Sequence, residues 1–237
     1  MNVIGKDIGT ALDTRYADIE RRLKVELERD LVVEAFEGNS ISNVEWQDGR
    51  VRITVHSGVP RHALAHVFGV ALEHVRQRLE RFPDVVRPPV DDQPEGAEIV
   101  RQALRELVLA AEADMQLAPF NLDDRWEVEQ RHQGMKDLLR DPPADWNEAG
   151  SIGNDFMALQ YARFAIQHPK EMWDGLRKTM EQRLPLACER GAAALKIVRT
   201  YGWGGPGACL ESMVGARNEL ELKDIAAIED RRTGELT

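Results

Sequence analysis

Histidine is concentrated in one short part of the chain. Of the six histidines, four lie within nineteen consecutive residues, namely His56, His62, His66 and His74. An α-helix turns by about 100° per residue, so His62 and His66 would lie about 40° apart on one helical face. Two imidazoles at this spacing can bind one zinc ion. The stretch is therefore a candidate metal site that still needs a third ligand.

A third ligand would come from a later helix. Two carboxylates, Glu112 and Asp114, lie in the predicted helix of residues 97–118. Asp114 falls on the apolar stripe of that helix, whereas Glu112 lies toward its flank. A carboxylate on a buried stripe costs several kcal/mol unless it is paired or bound to a cation. Asp114 therefore needs a partner, which is either an arginine or a metal ion.

These two segments resemble a known family. Residues 62–74 read His-Ala-Leu-Ala-His-Val-Phe-Gly-Val-Ala-Leu-Glu-His, and residues 111–114 read Ala-Glu-Ala-Asp. Over about residues 50–118 the sequence is similar to the zincin-like metallopeptidase domain found in bacteria beside a von Willebrand A-like domain. In that family the helix reads His-Glu-x-x-His, and a later motif of alanine, any residue and an acidic residue supplies the third zinc ligand.

The resemblance implies a zinc site and also a defect in it. The ligands would be His62, His66 and Asp114, with Glu112 as the alternative third ligand. Ala63 stands where the family has a glutamate that takes a proton from the zinc-bound water and passes it to the leaving amine, which alanine cannot do. We therefore expect a metallopeptidase-related protein that is impaired or inactive. If zinc is bound, we expect Ala63→Glu to restore some hydrolysis.

A second register also implies an impaired site. The segment Ala65-His66-Val67-Phe68-Gly69-Val70 matches the Ala-His-Glu-Leu-Gly-His of another zincin group, but it loses both the glutamate and the second histidine. For the site with His62, His66 and Asp114 as ligands, activity would be lost or would depend on a different base, such as Glu73 or Glu112. The sequence leaves open whether the chain is an enzyme.

Two other hypotheses do not need zinc as a cofactor. The first is a metal-free helical protein whose acidic surfaces bind a protein or peptide partner or assemble into a homo-oligomer. The second is an enzyme of another class that uses the same histidines and carboxylates. The zinc content of the purified protein would separate the zincin-like interpretation from the metal-free one.

Composition limits the other classes of function. The chain has 31 Lys+Arg against 41 Asp+Glu and a formal net charge of -10, which disfavours binding to nucleic acid or to anionic lipid. Cys188 and Cys209 are not closely paired, so neither a disulfide framework nor a cysteine zinc site is indicated. No apolar run approaches the roughly 18 residues of a membrane span, and the first residues lack the apolar core of a signal peptide. We expect a cytoplasmic protein.

Hydrophobic periodicity predicts a helix and then a small sheet in the first quarter of the chain. Residues 10–30 have the apolar spacing of an amphipathic helix, which Thr10 can cap. Short β-prone runs follow at residues 31–36, 41–46 and 51–55, and Gln47-Asp48-Gly49-Arg50 is a hairpin turn. Two or three antiparallel strands are expected within residues 31–56, and strands are expected nowhere else.

The helix that carries the histidines is predicted at residues 61–82. Its apolar face would contain Leu64, Phe68, Leu72, Val75 and Leu79. The histidine side, continued by Gly69 and Glu73, would face a cleft or water.

The remainder of the chain is predicted to be helical. A polar, proline-rich loop covers residues 83–96, and Pro185 kinks or splits one of the later helices. The expected class is α+β and predominantly helical, with a zincin-like core as one option. We expect an α+β domain at residues 1–145 and a helical lobe at residues 146–237, unless the two form one continuous domain. The predicted helices are 97–118, 123–140, 152–168, 170–201 and 208–232.

Overall fold

The computed structural model describes residues 1–38 and 40–237. Within these residues the chain forms eight α-helices and eight short β-strands. The class is α+β and predominantly helical, as the sequence predicts. No helix in this described part of the chain is both long enough and apolar enough to cross a bilayer.

The chain divides into two compact units. The first unit combines Met1–Glu80 with Ala113–Glu129, and the second combines Arg81–Glu112 with Gln130–Thr237. Each unit is therefore built from two separate segments of the sequence. The boundary expected near residue 145 lies inside the second unit.

The longer segment of the first unit contains seven elements. A two-stranded hairpin and a helix come before a three-stranded sheet, and a long helix follows the sheet. In chain order the elements are β1 (Asn2–Val3), β2 (Lys6–Asp7), α1 (Asp13–Leu27), β3 (Asp30–Phe36), β4 (Ser42–Gln47), β5 (Arg50–His56) and α2 (Arg61–Leu79).

The three-stranded sheet is mixed, so the expectation of a purely antiparallel sheet was wrong. Its strand order is β3-β5-β4. β4 and β5 are antiparallel and joined by the predicted turn, where Gly49 has a φ of 73°. β3 is parallel to β5, with Leu31 opposite Val51. Because β5 rather than β4 lies next to β3, the chain reverses twice between these two neighbours and returns to its original direction.

One face of this sheet lies in the apolar core of the first unit. Alternate residues of β5 point to that face, because the side chains of a strand alternate between its two sides. The predicted apolar face of α2 packs in the same core, with Leu79 at its margin. The fully buried residues are Val51, Ile53 and Val55 of β5, and Leu64, Phe68, Leu72 and Val75 of α2.

α1 contributes to this core but begins later than the sequence indicates. The helix starts at Asp13, Leu12 occupies the N-cap position, and no side chain among the described residues caps the helix. Thr10 therefore does not have the predicted capping role. Leu12, Ile19 and Leu23 are buried in the core of the first unit, which explains why the apolar spacing of this segment predicts a helix correctly.

The second unit is mostly helical. α3 and α4 include residues of both units, and the other α-helices and β-strands after α2 belong to the second unit. The elements are β6 (Asp84–Val86), α3 (Ala97–Leu117), α4 (Arg125–Leu138), α5 (Ile152–Gln167), α6 (Lys170–Arg183), α7 (Pro185–Tyr201), α8 (Pro206–Glu219), β7 (Ala227–Asp230) and β8 (Glu235–Leu236).

Two details of the second unit test the predicted helices. Pro185 is the first residue of α7 and separates it from α6, as the sequence predicts. The helix predicted at residues 208–232 is wrong in its second half, because α8 ends at Glu219 and β7 follows. β7 pairs with β6, so that Ile228 lies opposite Val85. A short apolar run does not distinguish a buried strand from a helix, which explains the error.

α5 and α7 pack closely in the second unit. A Cβ atom added at Gly191 of α7 would lie 2.5 Å from the backbone oxygen of Ala158 in α5 and 2.9 Å from Cβ of Tyr161. Because backbone atoms cannot move aside as a flexible side chain can, glycine permits this close approach of the two helices.

Candidate functional site

The strand and loop before α2 are held by the N-terminal hairpin. β5 ends at His56, and α2 begins at Arg61. The ammonium group of Lys6, on β2, donates hydrogen bonds to the backbone oxygens of Ser57 at 3.0 Å and Val59 at 2.8 Å. These bonds fix the path of the chain into the helix that carries His62 and His66.

His66 is buried and paired with a carboxylate that the sequence analysis missed. The side chain of His66 is 8% exposed, and its Nδ1 contacts Oε2 of Glu127 in the first turn of α4. Burial pushes the pKa of His66 down, but the hydrogen bond and charge of Glu127 outweigh this effect, with help from Asp114 and Asp124, so the pKa is raised. Carboxylates of the first unit therefore favour a charged imidazole at this position.

His62 lies in a different environment, although it is one helical turn away. Its side chain is exposed. It contributes to lowering the pKa of Asp123, for which the main cause is the hydrogen bond from Arg125. The charge of His62 thus affects the pKa of Asp123, and the carboxylate of Glu127 pairs with His66. The segment at residues 123–127 therefore runs along the histidine side of α2.

Close packing explains why this side of α2 is not a cleft. A Cβ atom added at Gly69 would lie 3.0 Å from Cδ2 of Leu117 and 3.4 Å from Cδ1 of Leu122. The end of α3 and the chain that follows it thus pack directly on α2. The absence of a side chain at Gly69 permits this close approach.

Glu73 does not face a cleft or water either. It is fully buried, and its carboxylate lies 2.9 Å from Nε of Arg15 on α1 and 2.5 Å from Nε of Arg76. The contact with Arg15 is an ion pair without the alignment of a hydrogen bond. Two guanidinium groups therefore neutralise Glu73, so in this structure it is not placed to act as a base for a substrate.

The two positions at which zincin families have the catalytic glutamate lie in the apolar core of this chain. Ala63, from the first register, is 0% exposed, and Val67, from the second, is 1% exposed. Both pack in the hydrophobic core of the first unit. A carboxylate at either position would enter an apolar interior, not a site that water and substrate can reach.

The expected zinc ligands differ in their surroundings. His66 is buried, His62 is exposed and Asp114 is partly buried, all three in the first unit. Glu112 is 1% exposed and belongs to the second unit. Among residues 1–38 and 40–237, no group of three or more His, Cys, Asp or Glu side chains is arranged to hold a metal ion.

Comparisons of the whole chain with known proteins do not identify a relative. No protein-family model, no curated protein and no solved structure matches it. The resemblance to zincin-like metallopeptidases accordingly depends on the residues of α2 and of the segment at 111–114 alone.

Proposed function

We propose that this chain is a zincin-related protein that binds an extended polypeptide and does not cleave it. One observation supports this proposal most directly. Ala63 and Val67, which occupy the glutamate position in the two registers, are apolar and buried in the core. A general base must come within hydrogen-bond reach of the proton that it removes, and neither residue has a group that can do so.

The proposed role of His66 is structural. Glu127 occupies Nδ1 of the imidazole, and the charges of Asp114 and Asp124 add to the attraction. A hydrogen bond between charged partners is about twice as strong as a neutral one. His66 thus joins α2 to the start of α4 and stabilises the first unit without a metal ion.

The proposed binding surface is the edge of the sheet at β4. The backbone N–H of His56 donates to the oxygen of Ile41, so Asn43 and alternate residues after it form the hydrogen-bonded pairs with β5. The backbone groups of Ser42, Val44 and Trp46 consequently point away from β5. An extended peptide can pair with such groups and add a strand to the sheet.

Two side-chain contacts determine the position of this edge and the bonding of its backbone. The guanidinium of Arg78 on α2 lies over the ring of Trp46, 4.5 Å from its centroid, which holds β4 against the helix. The side chain of Asn43 accepts a hydrogen bond from the N–H of Val44 at 2.9 Å. A peptide that binds here would replace that local bond with a bond to its own backbone.

The first experiment tests the absence of cleavage. Purified protein without a histidine tag is incubated with fluorogenic peptides and added zinc, with and without a chelator, beside a His66→Gln variant. We expect the native protein to show no hydrolysis that is sensitive to the chelator or to the His66→Gln substitution. Hydrolysis that both of them abolish would overturn the proposal.

The second experiment tests the binding surface. Random linear peptides displayed on phage are selected on the native protein, and the selected peptides are synthesised and titrated against Ser42→Pro and, as the matched control, Ser42→Ala. Proline removes the outward N–H and leaves the pairing with β5 in place. We expect Ser42→Pro alone to lose binding. Equal binding by both variants would exclude the β4 edge, and self-association that only Ser42→Pro abolishes would identify a second copy of the chain as the occupant.

A further inference from the structure

The second unit contains a cluster of nitrogen donors around the end of α5. His168 follows the last residue of α5, and His132 and Arg131 are neighbours on α4. The rings of His132 and His168 are stacked, with centroids 5.7 Å apart and planes inclined by 27°. His168 also stacks on Phe164, with centroids 4.2 Å apart. These contacts fix the position of the His168 ring.

Three nitrogen atoms of this cluster lack a hydrogen-bond partner among the described residues. They are Nε of Arg131, Nδ1 of His132 and Nε2 of His168, and all three atoms are buried. His168 as a whole is only 9% exposed. A buried polar atom without a partner costs about 1–3 kcal/mol, so native proteins seldom keep several of them together. Such a group of donors points to a ligand that accepts hydrogen bonds.

The charge around these atoms selects the kind of ligand. Burial lowers the pKa of His168 to about 4, and the charges of Arg131, His132 and Arg163 add to this shift. Burial also lowers the pKa of His132, with a contribution from Lys136. The surroundings are thus positively charged, although the whole chain carries a net charge of -10. A metal cation would be repelled, and an anion would be attracted.

We propose that Arg131, His132 and His168 form a binding site for a phosphate group, either free or as a phosphomonoester. Phosphate oxygens accept hydrogen bonds from several directions, and guanidinium groups are well suited to them. A neutral imidazole carries one N–H, which either ring nitrogen can hold, so each histidine can present a donor at its unpartnered atom. The site belongs to the second unit alone and does not depend on the role proposed for the first.

The test is calorimetric titration of the full chain at neutral pH in a buffer without phosphate, with ionic strength held constant by chloride. The probes are inorganic phosphate, phosphoserine and acetate. We expect saturable binding of phosphate, of phosphoserine or of both, and much weaker binding of acetate. Tighter binding of phosphoserine would identify an ester as the ligand, and tighter binding of inorganic phosphate would identify the free ion. Acetate binding of equal strength, or the absence of saturable binding to all three probes, would overturn the proposal.

Variants locate the site. Arg131→Gln and His168→Gln should each weaken phosphate binding by about tenfold or more, because each removes a buried donor. Arg131→Lys keeps the positive charge but not the planar donor group, so it should also weaken phosphate binding. This variant replaces His168→Gln in the test if His168→Gln does not fold. The matched control is Lys178→Gln, which removes one exposed positive charge from the same unit. An equal loss of phosphate binding in the control would show that the attraction of phosphate is not specific to these residues and would overturn the proposed site.

Discussion

His66 of α2 and Glu127 of α4 form a largely buried ion pair between residues that are 61 positions apart in the chain. The pair lies where the zincin resemblance places a metal ligand. The charge of Glu127 favours the protonated imidazolium of His66, whereas a metal ion would need the neutral ring. This difference can be measured through the effect of pH on stability.

We expect Glu127→Gln to destabilise the protein in a way that depends on pH. The folded pKa of His66 is raised above its ordinary value of about 6.5. The pair therefore contributes its full stability below about pH 6.5, and this contribution is lost as the pH rises through the folded pKa. Denaturant unfolding at mildly acidic pH should show a loss of about 1–3 kcal/mol.

The matched control for this prediction is Glu129→Gln, which changes an exposed carboxylate of the same helix. It should have little effect at any pH. If the difference between the wild type and Glu127→Gln is the same in acidic and alkaline solution, the charged pair is not the source of the stability.

We expect Ala63→Glu to destabilise the first unit and not to create a peptidase. The position is 0% exposed in the apolar core, and burial of an unpaired carboxylate costs several kcal/mol. Denaturant unfolding measures this loss, and a peptide hydrolysis assay with added zinc tests the activity. His62→Glu, at an exposed position one residue earlier, is the control and should be tolerated. A stable Ala63→Glu variant with chelator-sensitive hydrolysis would contradict this prediction.

We expect Glu73→Gln to be strongly destabilising. The substitution removes the buried charge that Arg15 and Arg76 share, and breaking a buried ion pair in this way costs about 3–5 kcal/mol. Glu26→Gln, which removes a half-exposed partner of Arg22, should cost less than about 1 kcal/mol. Urea unfolding of both variants checks the comparison. Similar small losses would mean that Glu73 is not a structural charge.

We expect His168 to make the second unit sensitive to acid. Its folded pKa is lowered to about 4, so the unfolded chain binds a proton below about pH 6.5 while the folded chain does not. The stability that neutral His168 contributes is present above that pH and is lost as the pH falls toward 4. His168→Phe keeps a ring beside Phe164 and removes the titration. The wild type should lose more unfolding free energy than this variant between neutral pH and pH 4, and parallel curves would refute the prediction.

We expect Gly191→Ala to separate α5 from α7. The added Cβ would lie 2.5 Å from a backbone oxygen of Ala158, which no rotation of a side chain can relieve. Gly175→Ala in α6 is the control, because no described atom outside its own stretch of helix backbone lies within 4 Å of the added Cβ, and alanine favours a helix by about 1 kcal/mol. Thermal unfolding should show opposite shifts for the two variants. A stabilised Gly191→Ala would contradict the close packing described here.

Local sequence patterns predict most of the helices, because apolar residues three or four positions apart lie on the same side of a helix. The buried face of α2, with Leu64, Phe68 and Leu72, follows directly from that spacing. The same information does not determine which strands become neighbours. The β3 segment has a strand pattern in the sequence, but its parallel position beside β5 depends on how the whole sheet assembles.

The candidate site shows the same limit more clearly. His66 was identified from its spacing to His62, whereas Glu127 was not identified, because nothing local to either segment joins them. The cluster of acidic residues that begins at Asp123 is a usable signal, since it lies at the start of the helix predicted at residues 123–140 and could supply charge to the histidines. The helical pattern is sufficient to predict that Ala63 is buried, but the family resemblance places a catalytic residue at that position.

The hydrogen bonds of Lys6 have a practical consequence for work with this protein. Lys6 joins the second strand of the N-terminal hairpin to the loop that leads into α2, and the terminal ammonium of Met1 donates to the backbone oxygen of Gly9 at 2.7 Å. A reagent that acylates lysine side chains would remove the charge of Lys6 and its two bonds to this loop. Binding and stability measurements are therefore best made without amine-directed labels, since modification of Lys6 perturbs the approach to the histidine helix.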